Sequence, residues 1–331
     1  MKFIQTVSIS LFFAFSLQAK AVNASDFSDK KEVKLFIKEM NKKHRYNKDY
    51  LQKLFDDAKI YDSILEAIAR PAESKPWYEY RPIFVTPDRA KGGVKFWKKN
   101  AAALSRAAKI YGVPEEIIVA IIGVETRYGK HAGRFPVFDA LATLAFGYPP
   151  RASFFKGELE QFLLMASEEN IPPNEFMGSY AGAMGMPQFI SSSFRQYAVD
   201  FDHDGKRDLW NTPADAIGSV ANYFKKHHWK AGQPITSKVK VHGKRYTRLL
   251  DADLKPSYTQ QELLDNGVIL PGNIAKNMNG KLLEFATTKK PEYWVGWNNF
   301  YVITRYNHSA LYSMAVYQLS QRIKQLYLGS S

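Results

Sequence analysis

In the segment IIGVETRYGK, residues 121–130, one carboxylate, Glu125, follows a run of branched aliphatics. Pro114 suits the first position of a helix here, and Glu115 and Glu116 complement the positive end of its dipole. Ile117, Ile118, Val119, Ile121, Ile122 and Val124 wrap all sides, which predicts a buried helix with a stop at Gly129. Glu125 lies three and four residues after Ile122 and Ile121, so it shares their face in the last turn. An apolar surround and the negative end of a helix both disfavour ionisation. A carboxylic acid kept protonated near neutral pH is what a general acid for glycosidic cleavage needs. The alternative is a surface glutamate paired with Arg127 or Lys130, and structural ion pairs are the commoner case.

Other segments supply company for this acid. GSYAGAMGMPQF, residues 178–189, is rich in small residues that let backbone approach a ligand, and Ser179 and Gln188 can donate hydrogen bonds. Pro187 fixes the backbone before Gln188 and removes one N–H donor. RYNHS, residues 305–309, adds Tyr306 and Asn307, an aromatic face and an amide of the kind that hold sugar rings. Taken singly, each of these reads better as ordinary helix packing. Glu158 and Glu160 read as solvated positions on an amphipathic helix, so no second catalytic acid is evident.

DFDHDGKRDLWN, residues 200–211, places acids at loop positions 1, 3, 5 and 9 and Gly205 at position 6. That is the front half of an EF-hand, whose alternate side chains surround one hard cation. Asn211 stands where the bidentate glutamate of position 12 is expected, and a solvated acidic turn is the even alternative. His203, His227 and His228 lack the spaced partners of a zinc site and read as surface or packing residues.

The elements that must position these residues are mainly helical. Three apolar stripes run from Ser28 to Arg70: Val33, Phe36, Ile37 and Met40, then Leu51, Leu54, Phe55 and Ala58, then Ile64, Leu65 and Ile68. The Pro- and aromatic-rich stretch at 73–87 predicts an extended connector, residues 88–111 helix, and residues 113–228 short helices joined by glycine-rich turns. Between Ala231 and Trp297, SKVKVHG, KLLEFATT and EYWVGW predict strands in a small β-rich insertion. Helices near Asn298–Tyr306 and Ser309–Tyr327 close the chain. The fold class is therefore mainly α, with an α+β character.

The 331 residues are 45% hydrophobic, enough chain for two or three domains or subdomains, and their net charge of +14 points to an anionic partner. Lys2, the apolar stretch Phe3–Leu17 and Ala19-Lys20-Ala21 make residues 1–21 a secretory signal peptide by pattern, with the mature chain starting near Val22. Export argues against nucleic acid as the target of the charge. The chain has no cysteine, so it has neither disulfides nor a lipid-attachment thiol, and a periplasmic protein without a transmembrane anchor is expected.

Together, GVETRYG (123–129), DALATLAFGYPPRASFFKGELEQFLLMA (139–166), GSYAGAMGMPQF (178–189), DAIGSVANYF (215–224) and VITRYNHS (302–309) resemble the lytic murein transglycosylase B family and its soluble relatives. The resemblance runs from Ser28 to Tyr327, with the connector and the β-rich part matched least firmly. It implies a lysozyme-like core with an added helical domain and a small β-containing insertion. The domains would then be residues 22–100, 101–230, 231–297 and 298–331, the last completing the core and helical domain. It implies cleavage of the β-1,4 bond between N-acetylmuramic acid and N-acetylglucosamine in peptidoglycan, without water, leaving 1,6-anhydromuramoyl ends.

On the family's pattern the catalytic acid falls on Glu125 and the substrate contacts on Ser179, Gln188, Tyr223, Tyr306, Asn307 and Tyr312. The family's variant EF-hand would bind a structural calcium ion through Asp200, Asp202, Asp204, the Lys206 carbonyl and Asp215, although LWNTPAD is one residue longer than the family's pattern. No organic cofactor is implied. The partners would be glycan strands, with other cell-wall enzymes as candidates, and the chain is expected to act as a monomer. A hydrolase on the same scaffold, or a non-catalytic peptidoglycan-binding protein, are the competing functions.

Overall fold

The structure, a computed structural model, describes residues 27, 30–69, 75–272, 274–275 and 277–329. The signal peptide expected over residues 1–21, and the helix bounds expected at Ser28 and Arg70, lie outside the described residues. In chain order the helices are α1 (Lys31–His44), α2 (Lys48–Asp57), α3 (Asp62–Ala69), α4 (Trp77–Phe84), α5 (Pro87–Lys99), α6 (Ala101–Tyr111) and α7 (Glu115–Thr126). They continue as α8 (Val137–Gly147), α9 (Ala152–Glu168), α10 (Ser191–Tyr197), α11 (Pro213–Lys226), α12 (Gln260–Asp265), α13 (Asn298–Tyr306) and α14 (Ala310–Leu328). The strands are β1 (Phe135–Pro136), β2 (Met177–Gly178), β3 (Thr236–Val241), β4 (Val268–Ile269), β5 (Lys281–Phe285) and β6 (Glu292–Gly296). The fold is mainly helical, as its periodicity predicts. None of its described helices is long and apolar enough to cross a membrane.

The described residues form two compact units. One holds residues 75–128 and 217–329, the other residues 27–69 and 129–216.

In the first unit α7 packs against α5, α6 and α14. Pro114 caps the helix from just outside it, at ψ 140°, and Ile117, Ile118, Val119, Ile121 and Ile122 are fully buried. The acids of its first turn are both engaged. Glu115 accepts from the Trp97 indole N–H at 2.6 Å, and Glu116 meets Lys324 Nζ at 2.8 Å. The helix stops earlier than the sequence predicts, at Thr126. Arg127, Tyr128 and Gly129 take φ of 50°, 64° and 85°, and the Arg127 and Tyr128 N–H groups close on the Gly123 and Ile122 carbonyls.

The connector at 73–87 is a correction. Its described part is not extended but contains α4, which runs through Pro82. Trp77, Tyr80 and Phe84 recur at helical spacing, and Trp77 packs on Phe285 with ring centroids 5.3 Å apart. Burial of Trp77 and Phe84 on this face offsets the missing Pro82 N–H. The β-rich insertion is a four-stranded antiparallel sheet in the order β4-β3-β6-β5, with Lys238 and Leu283 both paired to Trp294. Val239, Leu249, Leu263, Val268, Leu282, Val295 and Trp297 form its core.

In the second unit, α1 buries Val33, Phe36, Ile37 and Met40, the first predicted stripe. Phe36 and Phe55 meet Phe146 of α8 edge-on, at centroid distances of 5.9 and 5.7 Å. Helices α8 and α9 pack together, and β1 pairs with β2 through Phe135↔Gly178 and Pro136↔Met177.

Candidate active site

Glu125 is 5% exposed, so the surface ion pair with Arg127 or Lys130 does not form. Its Oε1 accepts from the Tyr312 hydroxyl at 2.5 Å. Burial pushes its carboxyl up to about 8, although the Tyr312 hydrogen bond and the charge of Arg89 both pull it down. At neutral pH Glu125 therefore carries its proton. Tyr312 sits in the first turn of α14, where its N–H donates to the Ser309 hydroxyl that caps the helix.

The same unit gathers three more of the residues singled out in the sequence. The Tyr306 ring lies 4.9 Å from that of Tyr223, and burial raises its phenol well above the ordinary value, with the nearby Glu125 and Tyr223 adding to the rise. Tyr223 projects from α11, donates its hydroxyl to the Arg305 carbonyl at 2.5 Å, and stacks on His227 at 4.0 Å. His227 thus has a packing role. Asn307 follows Tyr306 in extended backbone and is 3% exposed.

The second unit holds Ser179 and Gln188. The Ser179 oxygen accepts from the N–H groups of Ala181 and Ala183, at 3.3 and 3.0 Å, which leaves its own proton to donate. Gln188 differs from expectation. Its amide nitrogen already donates to the carbonyls of Ala132 and Gly185, at 3.1 and 3.0 Å, so the amide oxygen is the atom left to meet a ligand. The glycines between them are needed for space. At Gly185 (φ 65°) a Cβ would stand 2.6 Å from the Leu209 carbonyl oxygen.

The acidic loop lies in the second unit as well. Carboxylate oxygens of Asp200, Asp202 and Asp204 come within 4.8 Å of one another. Asp200 accepts from the N–H groups of His203, Asp204 and Gly205, so the turn is closed by its own first residue. Asp215 is fully buried outside that cluster, accepting from the N–H groups of Phe201 at 2.7 Å and Asp208 at 2.8 Å. Burial pushes its carboxyl up to about 6, against the pull of those N–H groups. The Met186 N–H donates to the Leu209 carbonyl at 2.7 Å, which ties the loop to the glycine-rich segment.

Comparison with known proteins decides the family. Residues 28–321 match the model of the transglycosylase SLT domain. The membrane-bound lytic murein transglycosylase B of Escherichia coli (strain K12) is 44% identical over 308 residues, covering 90% of this chain and 84% of its own. The chain belongs to the lytic murein transglycosylase B family. The catenated lytic transglycosylase SltB1 from Pseudomonas aeruginosa superposes with a TM-score of 0.88 at 48% identity, over 91% of this chain and 100% of its own. The Escherichia coli lytic transglycosylase Slt35 in complex with calcium superposes with a TM-score of 0.84 at 44% identity, over 92% and 96%. The protein is thus a transglycosylase with the lysozyme-like fold of its relatives.

Two features of this transglycosylase escape its sequence. Glu158 is a correction: it is 6% exposed, accepts from the Ser192 N–H at 3.0 Å, and is raised by burial rather than solvated. Glu160 is half-buried against His44, 2.7 Å away. Arg89, which its sequence context does not mark as functional, is buried in the unit that carries Glu125. Spacing gives no signal for either burial, that of Glu158 on α9 or that of Arg89 on the lysine-rich α5.

Proposed function

We propose that this transglycosylase cleaves the β-1,4 bond between N-acetylmuramic acid and N-acetylglucosamine in peptidoglycan without water, leaving a 1,6-anhydromuramoyl end. The observation that carries the reading is Glu125, pushed up to about 8 with no second carboxylate among the described residues acting on it. Hydrolases that retain or invert normally set two carboxylates across the scissile bond. Here one group serves as both acid and base. Protonated Glu125 gives its proton to the leaving glycosidic oxygen as the C1–O bond breaks. The muramoyl 2-acetamido oxygen stabilises the oxocarbenium-like centre. The Glu125 carboxylate, held by the Tyr312 hydroxyl, then takes the proton of the C6 hydroxyl as O6 closes on C1.

Ser179, through its hydroxyl proton, and Gln188, through its amide oxygen, are glycan contacts, and so are Tyr223, Tyr306, Asn307 and Tyr312. The murein named for the Escherichia coli relative supports this substrate, and stem-peptide carboxylates suit a chain of net charge +14. A structural calcium ion is held by Asp200, Asp202, Asp204 and the Lys206 carbonyl, with Asp215 completing the loop. The converging carboxylates and the calcium complex of Slt35 support that site. The enzyme acts in the periplasm after export, with no cysteine for lipid attachment. Glu125→Gln is expected to abolish release of anhydromuropeptides from purified sacculi while the protein stays folded, and undiminished release overturns the assignment.

A further inference from the structure

The reaction leaves a buried guanidinium unused. Arg89 lies in the first turn of α5 and is 7% exposed, with its guanidinium 5.1 Å over the Phe84 ring. Its Nε and Nη1 are buried and have no hydrogen-bond partner among the described residues. A guanidinium keeps its charge in a protein, and leaving its donors dry is costly unless something uses them. Its backbone is fixed: the Tyr128 hydroxyl donates to the Arg89 carbonyl at 2.7 Å. The Tyr128 ring fills a slot walled by glycine. A Cβ on Gly123 would stand 2.5 Å from the Tyr128 hydroxyl, one on Gly93 2.7 Å from it, and one on Gly92 2.8 Å from the ring edge. Tyr128 thus ties α5 to the end of α7, three residues after Glu125.

Arg89 and Glu125 form no ion pair. The hydrogen bond of Glu125 goes to Tyr312, and Arg89 acts on it through space. Among the groups on the elements packed around α7, Tyr312 from α14 and Arg89 from α5 act on Glu125. Tyr306 faces it from α13, Arg127 faces Arg89, and Glu116 is spoken for by Lys324.

We propose that Arg89 is a positioning residue for Glu125, the counter-ion of the carboxylate that exists between the two proton transfers. At rest it faces a neutral acid, which is why its Nε and Nη1 have no anion to meet. When the leaving oxygen takes the proton, the negative charge left on Glu125 is buried and Arg89 answers it. When the C6 hydroxyl returns a proton, both groups are as they began, and no bond to Arg89 forms. The inference rests on Glu125 being the acid and base of the reaction.

The test compares Arg89→Gln and Arg89→Lys with wild type in the intact protein. Infrared difference titration of the Glu125 carboxyl, with Glu125→Gln as the blank, needs no substrate. Its midpoint is expected to move to higher pH in Arg89→Gln, because loss of a cation disfavours the carboxylate, and to stay in place in Arg89→Lys. Anhydromuropeptide release is expected to lose about tenfold or more in kcat with KM unchanged in Arg89→Gln, its alkaline limb moving up with the titration. Should the glutamine variant not fold, Arg89→Met, which keeps the stem against Phe84, carries the same expectations. An unmoved midpoint in a folded variant overturns the role of Arg89, as does an equal loss of activity in both variants with the limb in place. A midpoint that moves without the limb instead overturns Glu125 as the rate-setting acid, so the two failures are told apart.

Discussion

At Glu125 three influences compete. Burial favours the neutral acid, the Tyr312 hydroxyl and the Arg89 charge favour the carboxylate, and burial prevails to leave the group at about 8 against an ordinary 4.5. The sign carries over to stability. Between those two values the folded protein holds a proton that the unfolded chain has released, so stability falls as pH rises through that window. In urea unfolding, wild type and Glu125→Gln are expected to be similarly stable at about pH 4. Wild type is expected to fall behind by about pH 9, and a difference that does not change with pH contradicts the shift. Glu125 is legible in the sequence because its apolar neighbours precede it directly. Arg89 is not, because Lys91, Lys95, Lys98 and Lys99 on the same helix make it look like one more surface cation. What buries it, Phe84 and Tyr128, arrives from other elements.

Elements were legible where periodicity was clean, as in α1, α13 and α14. Helix α4 was not, since Pro76 and Pro82 read as breakers and the partner of Trp77 lies two hundred residues away in β5. The acidic loop belongs to this scale too. Its spacing shows three converging carboxylates, but the sequence does not show that Asp215 is buried behind them, accepting from the N–H groups of Phe201 and Asp208. An ion that binds the folded loop and not the unfolded chain stabilises by mass action. Calcium is therefore expected to raise Tm in wild type and to lose that effect in Asp204→Asn. A wild-type Tm indifferent to calcium, with no binding in titration, would rule the site out.

Across the whole molecule, the residues singled out in the sequence come from distant parts of the chain and are divided between the two compact units. Glu125, Tyr223, Tyr306, Asn307 and Tyr312 belong to one, Ser179, Gln188 and the acidic loop to the other. Family resemblance made these segments legible together, since each is weak alone. The switches between units at residues 128/129 and 216/217 were not legible, because they depend on contacts between segments far apart in sequence. The second switch falls inside α11, where no break in helical pattern marks it. What the molecule does as a whole turns on whether a single buried acid can finish the reaction without water. Mass spectrometry of muropeptides released from purified sacculi tests that most directly. The account predicts products lighter by one water than those of a hydrolase, ending in 1,6-anhydromuramic acid, and none from Glu125→Gln; products with a reducing muramic acid end would contradict it.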